Sequence, residues 1–117
     1  MFASGSPFPP LTYRSKTFRP AQGNNAYVFP GIGLGAIASR ARVLPDEIFL
    51  AAARTLAGLV QRRDLDAGAL YPPLQDIRKI SLAIAVSVAE QVFALKLARA
   101  RRPRSIRKAI DAMMYEP

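Results

Sequence analysis

At 117 residues the chain is at most one domain, and the absence of cysteine and histidine excludes disulfides, thiolate or imidazole metal sites and the Ser-His-Asp triad. Half of its residues are hydrophobic, so a chain of this size can bury roughly 65% of its unfolded surface, but a self-sufficient hydrolase or metalloenzyme is a poor fit. The formal charge of +9, from 17 Lys and Arg against 8 Asp and Glu, raises nucleic acid or an anionic membrane as partners. The plainer alternative is a solvated basic helix end and tail, since the cations crowd into Lys96 to Lys108.

No apolar leader with a small-residue cleavage site is seen. The acid-poor first stretch faintly mimics an organellar presequence, but Pro7, Pro9 and Pro10 spoil the amphipathic helix that one needs. The expected location is cytoplasmic, an organelle being left open. Phe2-Ala3-Ser4 reads as the end of a short strand, stopped by Gly5-Ser6-Pro7. No convincing partner strand follows, although a strand needs neighbours for its backbone groups. Pro9 to Ala21 reads as a polar loop without a packed element.

From Pro20 to Ser39 there is no charged side chain. The apolar part, Ala26 to Ala38, falls short of the ~20 residues that span a bilayer and reads as a buried segment. Gly23-Asn24-Asn25 opens it as a helix start, Asn being a favoured N-cap, and the helix is expected from about Asn25 to Ala41. Pro30 would fall in its second turn at a cost of ~3 kcal/mol. Gly31, Gly33 and Gly35 would each add ~1 kcal/mol relative to Ala, so packing on both sides must hold it. Gly31, Gly33 and Ala36 formally satisfy the G-x-G-x-x-G/A dinucleotide fingerprint. Pro30 interrupts the strand-to-turn join, Ala53 stands where the ribose-binding acid belongs, and Asp46 and Glu47 come too early. The glycines read instead as sites of close backbone packing.

Pro45 to Gln61 is predicted as a helix with the stripe Phe49, Ala52, Leu56, Leu59 and Val60. Asp46 and Glu47 suit the dipole of its first turn; Asp64 and Asp66 read as caps or solvated acids. Leu70-Tyr71-Pro72-Pro73-Leu74 is a rigid extended bridge. Gln75 to about Arg99 is the longest helix, apolar on two stripes, one through Ile77, Ile80, Ile84, Val88, Val92 and Leu95, the other through Leu82, Val86, Ala89, Phe93 and Leu97. So wide an apolar arc expects a cover, and little of so short a chain remains to give one. A last helix runs from Ser105 to Tyr115.

Three segments, Phe2-Ala3-Ser4-Gly5-Ser6-Pro7-Phe8, Gln22-Gly23-Asn24-Asn25-Ala26-Tyr27-Val28-Phe29-Pro30-Gly31 and Leu70-Tyr71-Pro72-Pro73-Leu74, resemble ordered landmarks of the malic enzymes, the NAD(P)-dependent, oxaloacetate-decarboxylating malate dehydrogenases. The resemblance covers nearly all of this chain but only the last part of the family's longer one, and Ala21 departs from the family's usual Gly. It implies a mainly α fragment with one N-terminal strand, from the C-terminal end of a Rossmann-like α/β NAD(P)-binding domain. Residues 1–117 would then be part of that domain plus C-terminal helices. The strand's missing neighbours would lie upstream.

The resemblance also implies oxidative decarboxylation of malate to pyruvate and CO2, with NAD or NADP and with Mg²⁺ or Mn²⁺ in the complete enzyme. By match, Asn24 and Asn25 are the malate-binding residues. Their neutral amides can donate to a carboxylate or accept from a hydroxyl, and a helix N-terminus favours an anion; the alternative is that one Asn merely caps the helix. The family's catalytic Tyr and Lys, metal-binding acids and dinucleotide fingerprint belong to upstream segments, so no catalytic or metal residue is assigned here. Tyr27, Tyr71, Lys79 and Asp76 are not given those roles, and cofactor-binding residues stay unassigned. The isolated chain is expected to be inactive. Its expected partners are the missing N-terminal part or further copies of itself. The competing reading is a small basic helical binding or docking module. Aromatic residues are not interleaved with its cations as in a single-strand platform, so specific nucleic-acid binding is not expected, nor is membrane binding.

Overall fold

Pro30 decides where the first helix begins. The computed structural model describes residues 3–116. In it a 3₁₀ turn, Asn25–Tyr27, precedes α1 (Phe29–Ser39), and Pro30 falls in the first turn of α1. There its missing N–H has no intrahelical partner to lose. The continuous helix expected from Asn25 is split, and the cost of an interior proline does not arise. α1 stops two residues before the expected Ala41 because Arg40 adopts the left-handed conformation (φ 52°, ψ 52°). The Arg40 and Ala41 amides then close on the carbonyls of Ile37 and Ala36, a Schellman-type end.

The glycines of α1 meet the centre of the fold. Gly31 and Gly35, four residues apart and so on one helix face, lie against α4 (Ile77–Ala94). A Cβ on Gly31 would stand 2.8 Å from the Ile84 side chain, and one on Gly35 2.7 Å from the Ala85 carbonyl oxygen. Gly33, on the outer face, has open space around it.

α4 is covered by its own chain, contrary to expectation. Ile80, Ile84, Val88 and Val92 pack with Ile32 of α1 and with Ile48, Ala52 and Leu56 of α2 (Asp46–Gly58). On another side, Ala85 and Ala89 receive Ile106 and Ile110 of α5 (Ile106–Met113). Three helices thus share out an arc too wide for one neighbour. The predicted α2 stripe holds at Ala52, Leu56 and Leu59, but Ile48 takes the place expected of Phe49. Ile48, Ala52 and Leu56 carry the contact, while Phe49, some 100° further round, stays 43% exposed. α4 ends at Ala94 rather than near Arg99, because Lys96 turns at φ 59°. The chain then runs back along the end of α1, with Arg42 donating to the Leu97 carbonyl and Arg99 to that of Arg40, both at 3.0 Å. The start of the basic stretch is therefore a fastened ribbon, not a helix end.

The N-terminal strand does find a partner. β1 (Ala3–Ser4) pairs in parallel with β4 (Ala21–Gln22); Phe2, also read as strand, lies outside the described residues. Within the supposed loop, β2 (Leu11–Tyr13) and β3 (Lys16–Phe18) form an antiparallel hairpin. Its two turn residues, Arg14 and Ser15, both have positive φ, 50° and 63°, as a type I′ turn demands. A short helix, α3 (Arg62–Asp66), is capped reciprocally by Gln61 and Asp64, and Asp66 is exposed beside Arg62. The two-proline bridge leads through a 3₁₀ turn, Leu74–Asp76, into α4. α5, capped by Ser105, ends at Met113 before the expected Tyr115. Among the described residues no helix is long and apolar enough to cross a membrane.

Candidate functional site

The paired amides stand where β4 gives out. Gly23 donates its N–H to the Ser4 carbonyl at 2.6 Å, the last tie between the two parallel strands. The Gln22 side chain reaches the Gly5 carbonyl at 3.0 Å, which holds the end of β4 to the turn after β1. Asn24 follows in extended conformation (φ −98°, ψ 133°), and its side-chain oxygen accepts from the Ala26 amide at 2.9 Å. That oxygen therefore caps the turn, and the side-chain NH2 of Asn24 remains for other work. Asn25 is exposed, and among the described residues its side chain has no hydrogen-bond partner. The two predicted site residues are thus brought together on one turn, unequal in what they can offer.

Tyr27 anchors this turn to the body of the fold. Its amide donates to the Asn24 carbonyl at 3.0 Å. Its ring is 4% exposed and stacks on Tyr71 with centroids 5.1 Å apart and planes 14° from parallel. Its hydroxyl donates to the Pro72 carbonyl at 2.7 Å. Burial pushes the Tyr27 phenol above its ordinary value, with Tyr71 and Asp64 adding to the effect, so the hydroxyl stays a donor at neutral pH. Nothing in residue type alone marked Tyr27; the available signal was its position two residues after the amide pair. A cleft of about 560 Å³ opens beside it, lined by Arg19, Gln22, Arg63, Asp64 and Tyr71 among others. Neither asparagine lines this cleft.

Other chemistry is not assembled by these residues. Among the described residues no three acids gather as a hard-metal site requires. The formal glycine fingerprint lies inside α1, where Gly31 is filled by Ile84 and cannot admit a pyrophosphate. Among the described residues, neither an acid cluster nor this glycine motif forms a metal or pyrophosphate site.

A strand that runs parallel to its neighbour and delivers its C-terminal end to a helix start is the ligand-binding arrangement of doubly wound α/β domains, and this chain is a Rossmann-like fragment of that class. Residues 1–93 match the family model described as malic enzyme, NAD binding domain. The chain belongs to the malic enzyme family. It is 49% identical over 118 residues to an NADP-dependent malic enzyme of Populus trichocarpa, and 48% to one of Vitis vinifera. It is 44% identical over 117 residues to one of Dictyostelium discoideum. All of this chain is covered in each comparison, but only 20%, 20% and 22% of the relatives. It spans about a fifth of their length.

Proposed function

We propose that this chain is the C-terminal portion of a malic enzyme and supplies the malate-binding turn for oxidative decarboxylation of malate to pyruvate and CO2. The observation that carries this is the pair Asn24–Asn25 at the carboxyl end of β4, with the Asn25 amide unpartnered among the described residues. Asn25 has both a donor NH2 and an acceptor oxygen for a hydroxyl and a carboxylate. Asn24, one lone pair of its oxygen already taken by the Ala26 amide, offers chiefly its NH2 as a donor. The names of the relatives favour NADP as the cofactor. Cofactor and divalent metal, with the base and acid of the reaction, belong in this reading to the other four-fifths of the enzyme, or to further copies. The basic segment has no specific nucleic-acid role.

The test is a full-length enzyme in which this segment replaces the matching fifth of the poplar relative. Asn25→Ala loses hydrogen bonds to a charged substrate worth ~1.5–3 kcal/mol. Malate kcat/KM should accordingly fall by about 10- to 150-fold, with the KM for NADP little changed. Unaltered malate kinetics in both Asn24→Ala and Asn25→Ala would remove the assignment.

A further inference from the structure

We infer that Tyr27 is a positioning residue for the substrate turn: its buried hydroxyl and ring fasten Gly23–Tyr27 to the Tyr71–Pro72 bridge and so set where Asn25 presents its amide. The inference rests on the reading of that turn as the malate-binding element. A three-residue 3₁₀ turn has poor hydrogen-bond geometry and does not hold its shape unaided. Here it is gripped at both ends. At its head, the Gly23 N–H is bonded to Ser4, and a Cβ on Gly23 would lie 3.8 Å from the Tyr71 ring. At its tail, Tyr27 crosses 45 residues of sequence to bond Pro72 at 2.7 Å. Pro72 is a stiff reference point, since two successive proline rings fix φ and the residue is buried. The Tyr71 ring that stacks on the tail of the turn also bounds the space beside its head, where a Cβ on Gly23 would meet it, so the bridge serves as a jig for the asparagines.

A tyrosine present only to fill the core would work through its ring, whereas a positioning tyrosine also needs the hydroxyl. Tyr27→Phe keeps the ring and the stack and leaves the Pro72 carbonyl without its donor. In the 117-residue chain, hydrogen exchange at the Ala26, Tyr27 and Val28 amides should then accelerate by about tenfold, with Ile84–Val88 of α4 unchanged. In the full-length chimera, malate kcat/KM should fall by about tenfold while the KM for NADP stays within about twofold. Unchanged exchange at the turn overturns the inference. Faster exchange with unchanged malate kinetics, in a chimera where Asn25→Ala is impaired, also overturns it and leaves the malate reading standing. Silent Asn24→Ala and Asn25→Ala variants sink both. If Tyr27→Phe loses protection throughout α4, Tyr71→Leu decides instead. It keeps the hydroxyl bond and removes the stack, and loss of protection confined to the turn supports the inference, while none there overturns it.

Discussion

Tyr27 couples the site to pH through one proton. Its phenol is pushed above its usual value of 10.0 by burial first and by Tyr71 and Asp64 next. The folded chain therefore keeps a proton that the unfolded chain has already released between those two values. Stability from this group is complete below about pH 10 and is lost as pH rises through the folded value. Ionisation also destroys the only donor that the described residues give the Pro72 carbonyl. Thermal unfolding of the parent and of Tyr27→Phe, followed by circular dichroism from pH 8 to 11, should show a gap that narrows above about pH 10. Lysines titrate in both proteins, so the difference isolates Tyr27; curves that stay parallel to the top of the range would show that the phenol does not titrate against folding.

Among the elements, the contact between α1 and α4 is set by where side chains are absent. Gly31 and Gly35 allow the two backbones to approach, and any added methyl there lands on Ile84 or on the Ala85 carbonyl. Gly31→Ala and Gly35→Ala should each cost ~1–3 kcal/mol through overpacking. Gly33→Ala meets open space and should gain up to ~1 kcal/mol of helix propensity. Urea midpoints of the three variants check this, and a Gly33 variant as damaged as the other two would refute the close-approach account. The sequence foretold close approach at Gly31 and Gly35, because glycines in a charge-free helix need a reason, but not that Gly33 faces open space or that α1, expected to be packed on both sides, leaves Phe29 and Ile37 exposed. It also foretold the amide turn, because Asn before an apolar run is a local signal. The hairpin was illegible for the opposite reason: Arg14-Ser15 occupies a turn that Asn-Gly would announce. β4 was missed because two residues carry no periodicity. On α2 only the first member of the stripe was misassigned, because Ile48 and Phe49 are both apolar and only the partner helix chooses between them.

At the scale of the whole molecule, the described residues gather no cluster of three acids, and the chain's lysines all lie exposed. Its radius of gyration is 16.1 Å, against about 13 Å for a complete domain of this length, as suits a helical body with a hairpin arm. Phe29, Ile37, Phe49 and Leu50 lie exposed on α1 and α2, Ile37 at 67%, apolar surface that a complete enzyme would have reason to cover. Malate oxidation needs a base for the hydroxyl proton, an acid for the enolate, a bound dinucleotide and a divalent metal. There is no histidine. Lys16, Lys79, Lys96 and Lys108 are all exposed, none in the apolar pocket that a lysine base requires. Tyr27 is committed to Pro72. The described acids nowhere gather in threes. The chain alone is therefore expected to give no malate-dependent NADH or NADPH absorbance, with Mg²⁺ or Mn²⁺ and with either cofactor. Adding the remaining four-fifths of the poplar enzyme in trans should restore it, and Asn25→Ala should abolish most of what is restored. Metal-dependent cofactor reduction by the 117-residue chain on its own would place a base and a metal site among these residues and overturn this division of labour.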